Sequence, residues 1–204
     1  MGRNSGGNMG GGSKGGSSVK AGATEQGYTK KMLKNILGME KTIRKNVDES
    51  MQIFSSSGDL QLSIGGKGAQ VNWGPYKDKI KENSIMTHNH PRALGKTGIK
   101  AIGNSFSRDD ILTAVKTNAS EMRAVTPTYT FSIKRPKGGW GGSPIDVYNA
   151  YNKANSKVFA SNKQYISKQG DSDLSIDRAN AVHFHQVMKI MAKQYGWNYS
   201  KKRG

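Results

Sequence analysis

The chain has 204 residues and a formal charge of +18, from 32 basic and 14 acidic side chains, and it contains no cysteine. Disulfide frameworks and thiolate metal sites are therefore excluded. With 34% hydrophobic residues and no apolar run near 18 residues, so is an apolar membrane-spanning helix. The N-terminus carries no apolar signal segment, which predicts a chain made in the cytoplasm, or carried on a virion, with no membrane partner. A chain this basic is attracted to polyanions. The basic residues are scattered, however, and the longest run is Lys201-Lys202-Arg203. Nucleic acid is thus a candidate contact through the basic tails.

Residues 1–25 are Gly, Ser, Asn and Lys with almost no large apolar side chain. Such a stretch cannot offset its ordering entropy by burial, and it reads as a disordered tail. Residues 26–199 read as a single metal-binding domain and residues 200–204 as a basic C-terminal tail. From Thr29 to Val47, Met32, Ile36, Met39 and Ile43 recur at helical spacing. Glu49 to Phe54 and Leu60 to Ile64 alternate as strands around a Ser-rich turn, and Ala69 to Trp73 resumes the alternation, a β-meander signature. Ser84 to Thr87 is a short strand leading into His88, and residues 91–104 form a Gly- and Lys-rich loop. Ser107 is a helix N-cap, with Ile111, Leu112 and Val115 on the apolar face that follows. Ala124-Val125 and Tyr129 to Ile133 are β-rich. Helices are expected from Ile145 to about Gln169, with Val147, Tyr151, Ala154 and Val158 as a stripe, and from Ile176 to Tyr195, ended by Gly196. The fold class is α+β.

The chemistry concentrates at Thr87-His88-Asn89-His90-Pro91 and Ser107-Arg108-Asp109-Asp110. Two histidines at i and i+2 on an extended segment project to one side, so His88 and His90 can share an ion while Asn89 turns away. A hydrolytic zinc site has three protein ligands and leaves a position for water. Asp110, in the first turn of a helix, is the candidate third ligand; Asp109 is the alternative. Ser107 caps that helix and could face the site. Hydrolysis also needs a general base. Glu49, opening the first strand, is the right residue type; Glu82 sits in a polar turn and points to solvent.

This pattern resembles the JAB/JAMM (MPN+) metallopeptidase family: a Glu on an early strand (Glu49), then His-x-His-Pro (His88 to Pro91), then Ser-x-x-Asp opening a helix (Ser107 to Asp110). The resemblance covers roughly residues 45 to 135. It implies a curved mixed β-sheet flanked by helices, with Zn2+ held by His88, His90 and Asp110. It also implies Glu49 as general base and Ser107 as stabiliser of the tetrahedral intermediate. The departure is the spacing of 20 positions between His90 and Asp110, about twice the family's usual value, which fits an insertion in a loop, where added length costs little. Ile85-Met86-Thr87-His88-Asn89-His90-Pro91, Ser105 to Ile111, Glu121 to Thr126 and Tyr129 to Pro136 look like a module of phage head-morphogenesis and mobile-element proteins. A protein substrate or an assembly partner is the implied contact.

The resemblance implies a zinc-dependent peptidase or isopeptidase. Two other classes stand beside it: a head-assembly protein with a non-catalytic metal site, and a nucleic-acid-binding or nuclease effector supported by the charge. The tripeptide His-Asn-His is not the dispersed residue set of the HNH nucleases. His183 and His185, two apart on a helix, point about 200° apart and cannot share an ion. Trp73 and Trp197 read as core residues, and Trp140, between Gly pairs, as a surface contact.

Overall fold

A computed structural model describes residues 27–91, 102–167 and 173–204. The Gly-rich tail expected over residues 1–25 lies outside the described residues, as does most of the Gly- and Lys-rich loop.

The chain folds as an α+β domain around one mixed six-stranded sheet. Helix α1 (Lys30–Ile43) is capped by Thr29 and buries Met32, Ile36, Glu40 and Ile43, the i, i+4 stripe of an amphipathic helix. Strands β1 (Ser50–Phe54) and β2 (Leu60–Gly65) form a hairpin. A 3-10 segment (Gly74–Lys79) leads to β3 (Ile85–Asn89), and α2 (Arg108–Lys116) crosses over to β4 (Glu121–Val125). Strand β5 (Tyr129–Lys134), two long helices α3 (Pro144–Ser167) and α4 (Asp173–Tyr195), and β6 (Asn198–Arg203) complete the chain.

The strand order is β2-β1-β3-β4-β5-β6, with only the β3–β4 pair parallel. This corrects the meander: β3 adds to β1, not to a third consecutive strand. Ala69–Trp73 is not a strand. Lys67 bridges to Gln70, and Gly66 and Gly68 exchange backbone bonds with Glu49, folding this stretch back before it can extend the sheet. A second correction concerns residues 200–204. They are not a tail, because β6 pairs antiparallel with β5 from Asn198↔Lys134 to Arg203↔Tyr129.

Strand alternation sorts the side chains onto two faces. On one face Tyr28, Met32, Ile36, Phe54 and Ile85 pack under α1. On the other, Met51, Ile53, Met86, Met122, Ala124, Phe131 and Ile133 pack against α2, α3 and α4, with the expected stripe Val147, Tyr151, Ala154 and Val158 buried there. Trp140 is 4% exposed, donates through Nε1 to the Ala119 carbonyl at 3.0 Å and meets Trp197 edge-on. It is core rather than surface, because its flanking glycines turn the loop inward. A buried ion network ties α1 to the sheet: Arg123 on β4 bonds both carboxylate oxygens of Glu40 and one of Glu121. Burial alone would lower the Arg123 pKa, but these two carboxylates hold it above its ordinary value. Among the described residues no helix is long and apolar enough to cross a membrane.

Candidate metal centre

His88 is the penultimate residue of β3, on the face covered by α2, α3 and α4. His90 follows two positions on, its backbone N–H donating to the Val125 carbonyl at 2.8 Å, so both imidazoles project to the same side. Asn89 between them faces the other way. Its Oδ1 accepts from the Ser50 N–H and hydroxyl, both at 2.8 Å, and its Nδ2 donates to the Asp48 carbonyl. It thereby pins the start of β1 beside the end of β3. Glu49 does not open β1, which starts at Ser50, because its backbone is bonded to Gly66 and Gly68; since Met51 stands opposite His88, Glu49 still falls opposite His90, on the histidine face.

The third group arrives from α2. Ser107 Oγ accepts from the Asp110 N–H at 3.2 Å, while Asp110 Oδ2 accepts from the Ser107 N–H at 2.7 Å. This reciprocal capping box holds the carboxylate rigidly. Asp110 Oδ1 lies 3.1 Å from His88 Nε2, Asp110 Oδ2 lies 3.5 Å from His90 Nε2, and the two Nε2 atoms are 3.0 Å apart. Ligands held tetrahedrally about 2.0–2.1 Å from zinc are separated by about 3.3–3.4 Å. The two Asp110 distances end on different carboxylate oxygens, and one ligand atom from each of His88, His90 and Asp110 lies within 4.8 Å of the others, so the three residues could hold a metal ion. His90 Nδ1 is bonded at 2.8 Å to the Asn104 carbonyl, an outer contact that places its proton on Nδ1 and leaves Nε2 free to ligate. Asp109 is excluded as third ligand: its side chain is 80% exposed and pairs with Arg108.

Burial would lower the His88 pKa, but the charges of Asp110 and Glu49 raise it. Burial would likewise raise that of Asp110, yet the two histidines hold it well below the ordinary carboxylate range. Glu49 goes the other way. Burial lifts its pKa and Asp110 adds to the lift, against the pull of both histidines. Its response to all three groups places it within their field without making it part of the triad. Glu49, Ser107, His90 and Asp110 line one cleft of about 970 Å³, whose other walls include Trp73, Asn104 and Asp177.

Two contributors carried no sequence signal. Asn104 acts through its main-chain carbonyl. Asp177 on α4 accepts the N–H groups of Ile102 at 2.6 Å and Gly103 at 3.2 Å, fastening the segment that presents Asn104. His183 and His185 do not join the site; they bond Asn155 and Tyr199 respectively. Glu82 is exposed. No protein-family model, no curated protein and no solved structure matches the chain.

Proposed function

We propose that the protein is a metal-dependent hydrolase of peptide or isopeptide bonds of the JAB/JAMM type, with zinc as the ion. The observation that carries this reading is the convergence of two imidazole nitrogens and a carboxylate at 3.0–3.5 Å, beside a buried glutamate in an open cleft. An imidazole–imidazole–carboxylate donor set suits zinc, which when bound polarises a carbonyl and lowers the pKa of water. His88, His90 and Asp110 would hold the ion. Glu49, its pKa raised by burial, takes the proton of the attacking water on a carboxylate oxygen and returns it to the leaving amine nitrogen. Ser107 Oγ spends its acceptor capacity on the Asp110 N–H and keeps its own O–H. That hydrogen is free to stabilise charge developing on the scissile carbonyl oxygen. The phage or mobile-element setting rests on the motif resemblance alone.

The test pairs metal content with cleavage of a mixed peptide library read by mass spectrometry. The parent chain should carry about one zinc and cleave. Asp110→Asn should lose both, and Asp109→Asn neither. Glu49→Gln should keep its zinc and lose about 10²-fold or more in rate. A Glu49→Gln chain that cleaves as fast as the parent removes the catalytic role. A zinc-loaded parent that cleaves nothing while melting at a zinc-dependent temperature favours a stabilising metal in an assembly protein.

A further inference from the structure

The face of the sheet opposite the metal cleft is only half covered. Helix α1 packs on β1 and β3 and reaches β4 through Glu40 and Arg123. Beyond it, β5 and β6 turn a row of polar side chains to the same side: Thr130, Ser132 and Lys134, and opposite them Lys202, Ser200 and Asn198. These share the face of Arg123, since Arg123 pairs with Ser132 and Ser132 with Ser200.

Helix α1 forms a wall along this shelf. Lys134 stacks on Tyr28, before its first turn, at 4.1 Å, and Arg44, its C-cap, bonds the Thr126 carbonyl and the Thr130 hydroxyl. The side of α1 that carries Arg44 therefore looks across the shelf. Lys30, Lys34, Leu37 and Lys41 precede Arg44 at i, i+4, i+7 spacing and lie on the same flank. Lys30, Lys34, Leu37 and Lys41 are all exposed. Asn35 marks the opposite flank by bonding Gly58 in the β1–β2 turn. The one acid of α1, Glu40, is buried under Arg123, and β5 and β6 contain none. Burial holds the Lys134 ammonium below its ordinary pKa, and Arg123 and Lys202 push the same way against Glu121. The result is a cationic strip about 21 Å long beside a floor whose accessible groups are Thr130, Asn198, Ser200 and Lys202; at its centre Ser132 is buried with its hydroxyl donating to Glu121, and Lys134 pairs with the same carboxylate.

We infer that this shelf binds the phosphate backbone of duplex nucleic acid, without reading base sequence. Lysine, serine, threonine and asparagine are backbone-contacting residue types. The aromatic side chains of β5 and β6, Tyr129, Phe131 and Tyr199, occupy alternate positions and pack with the core on the other face, so no platform for stacking unpaired bases exists there. A protein partner would be expected to find a buried aromatic or apolar anchor; on this flank of α1 the apolar residue is Leu37. The nucleic-acid contact expected from the basic tails is thereby placed on a built surface, and it does not depend on the metal reading.

The experiment titrates the full chain, in EDTA, against a mixed-sequence duplex DNA between 50 and 200 mM salt. If the shelf neutralises four phosphates, log affinity should fall with log salt at a slope of about −3.6. The triple variant Lys34→Glu, Lys41→Glu, Lys202→Glu should bind at least about ten-fold more weakly, with a shallower slope. A control of equal net charge, Lys77→Glu, Lys79→Glu, Lys153→Glu, changes exposed lysines elsewhere and should keep most of the affinity. All substituted side chains except that of Lys202 lie off the sheet, and far-ultraviolet circular dichroism checks that each chain folds. Equal losses in the two variants, no loss in the first, or equally tight binding of polyglutamate or anionic vesicles would each overturn the assignment.

Discussion

Asp110 serves two structures at once. Its Oδ2 closes the capping box that starts α2, and the same carboxylate faces both histidines. The cap fixes the rotamer that turns the carboxylate towards both imidazoles. The protonation of this group follows from the directions of its shifts. In the metal-free chain the His88 pKa is raised above 6.5 and that of Asp110 depressed below 3.8. The stabilisation from His88 is complete below its unfolded pKa and is lost as pH rises through the folded one. That from Asp110 is present above its unfolded pKa and is lost as pH falls through the folded one. The pair therefore stabilises the metal-free fold fully between those two unfolded values and less so in alkali. Under the proposed zinc reading the ion would compete with the His88 proton, so its affinity would rise with pH. The expected outcome is a zinc-induced increase in Tm that widens from about pH 6 to about pH 8, measured by calorimetry with and without chelator. An increment that narrows over this range would contradict a site built on His88. The shared direction of His88 and His90 and the Ser107–Asp110 cap were each legible in the sequence because local geometry dictates them, whereas the meeting of the two pairs was implied by the family resemblance. Asn104 and Asp177 were not, since a carbonyl has no residue signature and a helix residue 75 positions from Ile102 leaves no periodic trace.

At the scale of elements, Glu49 depends on the loop after β2. Gly66 donates to the Glu49 carbonyl at 2.8 Å, and the Glu49 N–H donates to the Gly68 carbonyl at 2.7 Å. A Cβ built at Gly66 would lie 2.1 Å from the Gln70 carbonyl oxygen and 2.7 Å from that of Glu49. Both neighbours are backbone and cannot rotate aside. Gly66→Ala must therefore push apart the backbone at Gln70 and at Glu49, the residue before β1, and neither contact involves β3 or α2. Zinc content should be retained, and turnover should fall by about 10²-fold, the scale expected for a misplacement near 1 Å. Loss of zinc in this variant would mean that Glu49 belongs to the ligand set. The sequence marks these glycines as a chain break, and the pattern of Ala69 to Trp73 suggests that the strand resumes. The turn chemistry overrides that alternation, because Gly68 adopts φ +60° and folds the segment against Asp48 and Glu49. Trp140 was misread for a related reason: flanking glycines signal a loop, and say nothing about whether the loop's side chain points in or out.

For the whole molecule, helices and strand positions were readable from periodicity, whereas the strand order was not. The parallel β3–β4 pair is made by the crossover through α2, and this long-range contact is invisible to local alternation. The C-terminal strand is the sharpest case. Asn198–Arg203 is too polar to read as a buried strand, and its composition matches a solvated tail. It is an edge strand carrying two exposed lysines, Lys201 stacked over Tyr129 at 3.9 Å and Lys202 on the opposite face, and edge lysines discourage edge-to-edge aggregation. Its inward residue Tyr199 lies parallel to Phe131 with ring centroids 6.4 Å apart, and its hydroxyl bonds His185. Removing residues 198–204 would strip six backbone pairings from β5 and uncover Phe131. Tyr199 is partly buried, so its loss costs less than the about 3–5 kcal/mol of a core aromatic, and the backbone bonds lost with the strand add about 0.5–1.5 kcal/mol each; each kcal/mol lowers Tm by about 2–4 °C in a domain of this size. The shortened chain should therefore melt at least about 6 °C lower and aggregate along the exposed β5 edge, seen by light scattering. A dispensable tail would leave Tm unchanged. Neutral substitution of Lys202 to Gln in the intact chain separates the two contributions, because it removes a charge, keeps the strand and leaves Lys201 over Tyr129. If the melting loss comes from the lost pairing and the covered Phe131, that variant should melt close to the parent.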